Sequence, residues 1–160
     1  MKRFLPILLA FVLLFVSSCG GGSSVAKDTY NEWKTELSAS GLDKGYATHL
    51  RSASLKPAHL RDEFGMSKVE PPAFTGGTIY HNSTTPNNFV FAVVEFASEA
   101  DAEGSLTTFR EGCDLGVQIC LVYDVLLVER AGTSVLVVMG DAAPAEALLR
   151  AFRKVTGAAG

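Results

Sequence analysis

The sequence predicts an α+β fold, a single antiparallel sheet with helices packed on it. Three observations carry that expectation. Phe89 to Val94 is an almost continuous apolar run, which needs cover on both faces or a central place in the sheet. Val117 to Glu129 is again mostly apolar and returns through Ala131 and Gly132 into Ser134 to Met139, the pattern of a hairpin. Behind Asp141, Leu148, Leu149, Phe152 and Val155 form a stripe at helical spacing that must bury one side. Strands and helices in this order are most economically built as one antiparallel sheet with helices on a face.

The chain opens with MKRFLPILLAFVLLFVSSC. Lys2 and Arg3 precede an apolar stretch, Phe4 to Val16, that ends in small residues, the architecture of a secretion signal. An uncleaved membrane anchor is the competing reading, but the stretch is short for a bilayer span and runs straight into a cysteine. Val16, Ser17, Ser18 and Cys19 resemble the lipobox of bacterial lipoproteins. That resemblance implies cleavage before Cys19 and lipidation of its thiol, often with acylation (palmitate) of the new amino group. It also implies a place in the cell envelope on the extracytoplasmic side, with the membrane as partner through the lipid. Gly20 after the cysteine, instead of Asp, is in that family the pattern that proceeds to the outer membrane, facing the periplasm, in a cell with two membranes. The division that follows is 1–18 signal peptide, 19–27 lipidated flexible tether and 28–160 a single α+β domain.

Of the whole chain's 14 basic residues, Lys2 and Arg3 leave with the signal, so twelve face 17 acidic ones and the net charge is near minus five. That excludes nucleic acid as the natural partner, since its binding rewards a basic surface. Once Cys19 is lipidated, Cys113 and Cys120 remain, an even pair in an oxidising compartment and hence an expected disulfide.

Residues 29–39 read as a helix, capped by Asp28, stopped by Gly41 and docked by Tyr30, Trp33 and Leu37. Tyr30 and Trp33 serve there either as docking residues or as the lining of a ligand pocket. A short strand is expected near Tyr46 to Leu50, and a short helix over 57–64 with Pro57 in its first turn. Pro71, Pro72, Gly76 and Gly77 then separate this N-terminal layer from the main unit.

The main unit starts with a strand, Thr78 to His81, and a polar loop before the apolar strand at Phe89. Ser98 and Asp101 give the start of a helix whose inward line is Ala102, Leu106, Phe109 and Cys113, with Gly112 as its stop. Asp124 interrupts the even positions of the next apolar stretch, so that strand either bulges or has one face partly covered. The last helix is expected over 142–156, with Pro144 in its first turn, basic residues near its end and Gly157 beyond. Gly140 leading into Asp141, and the aromatic strand before Ser98, loosely resemble small bacterial α+β lipoproteins; that likeness spans at most residues 76–157 and carries over no functional residue.

His49, His59 and His81 are scattered and make no metal-ligand spacing, and no nucleophile elbow, P-loop or dinucleotide glycine pattern occurs. No catalytic residue, cofactor or metal follows from the sequence. Six residues separate Cys113 from Cys120, where a tight redox dithiol has two. The sequence therefore predicts a lipid-anchored envelope protein with a non-catalytic binding or structural role toward an envelope protein or small ligand. The alternatives are an envelope enzyme with a site assembled from distant residues, or a thiol redox protein using Cys113 and Cys120.

Overall fold

The computed structural model describes residues 21–42, 45–82, 89–117 and 122–158. The signal, the lipobox with Cys19, and Cys120 lie outside the described residues. The elements are α1 (Gly21–Ser40), β1 (Leu50–Ser54), α2 (Pro57–Asp62), β2 (Gly76–Asn82), β3 (Phe89–Glu95), α3 (Glu99–Gly112), β4 (Val125–Ala131), β5 (Ser134–Gly140) and α4 (Ala142–Thr156). All strand pairs are antiparallel, in the order β1-β2-β3-β5-β4. The architecture is α+β, one antiparallel five-stranded sheet with four helices packed on it.

Helices cover both faces, which is what the apolar run at Phe89 demands. Phe89, Phe91 and Val93 point one way, with Tyr80, Leu136 and Val138, into a core closed by α1 and α4. Val90, Ala92 and Val94 point the other way, with Ile79, Val135, Val137 and Met139, beneath α2 and α3. Alternation on a two-sided strand thus fills two cores at once. Every residue of β5 is buried, as the innermost partner of β3 and β4.

Local chemistry sets the clearest boundaries. Ser98 Oγ accepts the Asp101 amide at 3.1 Å and caps α3. Ala131 pairs with Ser134 across a two-residue turn in which Gly132 has φ 59°, the positive value such turns require. Gly157 closes α4 with φ 69°. Leu148 and Phe152 are fully buried along α4 with Ala145, Ala147 and Ala151, each large side chain contributing about 1.5–3 kcal/mol before entropy. Leu149, expected as part of that stripe, lies at its margin and is only partly buried.

Other boundaries moved. α1 starts at Gly21, well before Asp28, which is an exposed mid-helix residue and caps nothing. Ala26 and Thr29, both fully buried, extend the packed stripe toward the N-terminus, so part of the expected tether is helix. The first strand is Leu50–Ser54, displaced from Tyr46; its polar LRSAS sequence suits an edge. The strand expected from Val117 begins only at Val125. Before it, the Tyr123 amide donates to Leu115 O at 3.1 Å, holding a loop against the end of α3.

Two further expectations are corrected. Cys113 is a free thiol, not half of a disulfide. It caps the C-terminus of α3 and packs against the core beneath α3 beside Leu115 and Val117. The membrane assignment gains no spanning segment either: among the described residues no helix is long and apolar enough to cross a bilayer.

Candidate functional site

Strand register builds the floor of an open groove. In the β1–β2 ladder Ser52 stands opposite Tyr80, and Ser54 opposite Thr78, so Ser52, Thr78 and Tyr80 share the α1 side of the sheet. α1 packs over β2 and β3 and leaves Ser52 and Ser54 of β1 exposed on this face. Lys27, Tyr30 and Asn31, at i, i+3 and i+4, form the helix wall. These six residues enclose about 390 Å³.

An aromatic stack holds the groove rigid. Tyr80 lies between Phe91 and Tyr30, with ring centroids 4.6 Å from each. Tyr30 Oη donates to Ala47 O at 2.7 Å, and Lys34 Nζ sits 4.6 Å from the centre of the Tyr30 ring. The ring faces are therefore already in use, and what the groove offers a ligand is mainly polar. Among the described residues, the Lys27 ammonium, the Asn31 side-chain amide and the hydroxyls of Ser52, Thr78 and Tyr80 make no hydrogen bond or ion pair within the protein. Tyr80 is only 6% exposed, so its free hydroxyl opens on this groove from a buried ring. Burial, then the neighbouring Tyr30, raises its pKa above the usual tyrosine value, keeping it a neutral donor and acceptor.

A second polar cluster stands at the start of α4. Tyr46 Oη donates to Asp141, whose carboxylate is thereby drawn away from capping the helix. Burial, that hydrogen bond and the charges of Asp141 and Asp124 push Tyr46 up to about 12. Asp124, the residue that interrupts the apolar alternation, lines this cavity of about 280 Å³ and precedes β4, so the strand needs no bulge.

A third cluster joins residues the sequence left apart. His81 on β2 and Glu63 just after α2 pair at 3.0 Å, and the His59 ring lies 6.1 Å from that of His81. His59 Nδ1 accepts the Lys56 amide at 3.1 Å, which fixes its ring on the first turn of α2. Burial and the Glu63 charge push nearby Tyr123 up to about 12. His49 stays apart and exposed. Among the described residues no group of three His, Cys, Asp or Glu side chains is placed to hold a metal ion.

Burial pushes the Cys113 thiol up to about 12, away from the thiolate that a reactive cysteine needs near neutral pH. Of the groove residues, sequence reasoning weighed only Tyr30 as a lining group. Trp33, weighed with it, is fully buried in the core and lines nothing. Lys27, Asn31, Ser52, Thr78 and Tyr80 were missed. The helical spacing of 27, 30 and 31 and the alternation of 78 and 80 were legible, but nothing marked Ser52. No family model matches the chain, and no curated protein or solved structure matches it significantly.

Proposed function

We propose that this chain is a lipid-anchored envelope protein whose domain binds a ligand or an envelope partner without catalysing a reaction. The anchor is Cys19, for which the basic start, the apolar stretch and the small residues before the cysteine speak. Two or three acyl chains, at about 0.8 kcal/mol per buried methylene, hold a protein stably on a bilayer. The binding role rests on one observation, the cluster of polar groups, without a partner among the described residues, around the buried Tyr80 in an open groove. Polar groups that converge on a concavity without internal partners are how small-molecule sites fix orientation.

Two measurements test this reading. Mass spectrometry of the native N-terminal peptide should find Cys19 first and acylated, and Cys19→Ala should block processing; an unmodified Cys19 defeats the anchor. A diazirine amino acid in place of Asn31 should crosslink one defined envelope component, protein or small molecule, in intact cells. Ser52→Trp, which fills the groove from an exposed edge position, should abolish that crosslink. A crosslink that is absent or indifferent to Ser52→Trp defeats the binding role.

The Glu63–His81 pair favours a second reading, an envelope enzyme whose site is assembled from distant residues, because a carboxylate that orients an imidazole is the arrangement of a general base. Turnover of ester, amide or glycoside model substrates that disappears in His81→Asn supports it; absence of turnover removes it.

A further inference from the structure

From the groove between α1 and β2 we infer a binding site for an acidic saccharide, a hydroxyl-rich ring bearing one carboxylate. The inference rests on the binding role proposed above and names its ligand class.

The chemistry of the lining selects the ligand. Lys27 is the one charged residue among the six, in a protein whose mature chain carries an excess of acid. An anion is therefore complementary at this place and repelled over much of the rest. A single flexible ammonium with no Arg beside it suits a monovalent carboxylate; a phosphate is ordinarily gripped by a guanidinium fork or a nest of amides. Asn31, Ser52, Thr78 and Tyr80 then supply an amide and three hydroxyls, each able both to donate and to accept. That set matches sugar hydroxyls, which also do both, better than it matches an aliphatic chain.

The floor argues against a peptide. β2 is an inner strand, its main chain paired with β1 on one side and β3 on the other. A peptide lying over β2 therefore finds no free main-chain ladder there, which is what strand addition uses. The volume, about 390 Å³, falls in the range of small-molecule sites, about 300–1,000 Å³.

The experiment is an amide chemical-shift titration of the full lipidated protein in micelles of a detergent with no sugar headgroup. The probes are glucuronic acid, glucose, acetate and triglycine. Glucuronic acid should give saturable shifts centred on Lys27, Asn31, Ser52, Thr78 and Tyr80. Glucose should bind the same residues about tenfold more weakly, the weight of one charge-assisted contact, and acetate should give no localised shift. Lys27→Met should bring glucuronic acid down to about the level of glucose. Tyr80→Phe, which keeps the ring stack and deletes only the hydroxyl, should weaken both sugars severalfold. Sugar shifts that are absent or scattered over the surface overturn the proposal. So does acetate equalling glucuronic acid, or triglycine alone occupying the groove. If the sugars fail while the Asn31 crosslink remains sensitive to Ser52→Trp, the saccharide assignment falls and the binding role stands; if both fail, both are gone.

Discussion

Trp33 is the joint between α1, α4 and the sheet, and its replacement tests the account of that core. The side chain is fully buried, and its Nε1 donates to Pro144 O at 2.9 Å in the first turn of α4. Its ring stacks on Phe89 at 4.8 Å and meets Phe91 edge-on at 5.9 Å. In Trp33→Phe the hydrogen bond is lost, a net cost of about 1 kcal/mol, because the Pro144 carbonyl keeps its place in the α4 ladder and is not orphaned. The smaller ring leaves a void whose cost is about 1–2 kcal/mol, so the sum is about 2–3 kcal/mol. Trp33→Ala removes the stack as well and should cost about 3–5 kcal/mol. Trp33 is the sole tryptophan, so native fluorescence reports this joint, but the variants need circular dichroism through a urea titration. An unchanged midpoint in Trp33→Phe would refute the weight given to the hydrogen bond, and equal losses in the two variants would refute the weight given to the stack.

Thr29 Oγ1 is buried with no hydrogen-bond partner among the described residues, so the near-isosteric Thr29→Val should raise stability by about 1–2 kcal/mol in the same titration; a loss would mean that the hydroxyl is satisfied. A Cβ at Gly77, where φ is 152°, would stand 2.5 Å from Val93 O, and Gly77→Ala should lower the thermal midpoint by several degrees while Gly76→Ala, with open space, leaves it near the wild-type value. Cys113, Tyr46 and Tyr123 are all pushed up to about 12 in the fold, above their unfolded values. The folded chain therefore holds protons that the unfolded chain releases, the stability they contribute is whole below about pH 8 and is lost as pH rises through about 9 to 12, and thermal melts that stay flat to pH 11 would contradict this. For the same reason native Cys113 should react with a disulfide reagent far more slowly at pH 8 than after denaturation; equal rates would show a thiol as accessible and as ionisable as in the unfolded chain.

What the sequence revealed divides by the range of the interaction that decides it. The Ser98 cap, the turn at Gly132 and the Gly157 stop are settled by residues within four positions of one another, and each is found where the residues place it. β1 was misplaced because an edge strand needs little apolar surface: LRSAS has no alternation to announce it, while Tyr46, the residue that seemed to mark a strand, is spent on Asp141. The early start of α1 was hidden by Gly21 to Ser24, whose composition disfavours helix, whereas burial of Ala26 and Thr29 decides otherwise. The staple expected at Cys113 rests on the compartment and on the short connection to Cys120, yet the place of Cys113 against the core beneath α3 is fixed by packing. The groove was least legible of all, because it joins positions 27–31, 52 and 78–80, and only the β1–β2 register brings Ser52 beside Tyr80.

The strand order carries a consequence for how this chain must assemble. β5 lies between β3 and β4 although it is the last strand in sequence, so β3 and β4 both wait for it. Until Ser134–Gly140 arrives, the most apolar strand of the protein, Phe89–Glu95, has one side of its main chain unpaired. A short β-rich segment of that kind is the sort that recruits copies of itself. During synthesis at about 5–20 residues per second, the interval between the two strands is a matter of seconds. A holdase that occupies Phe89–Glu95 until β5 arrives therefore becomes the step on which yield depends. Slowing the delivery of β5 by a translational pause before Ser134 should send this protein into aggregates without altering the stability of the molecules that do fold.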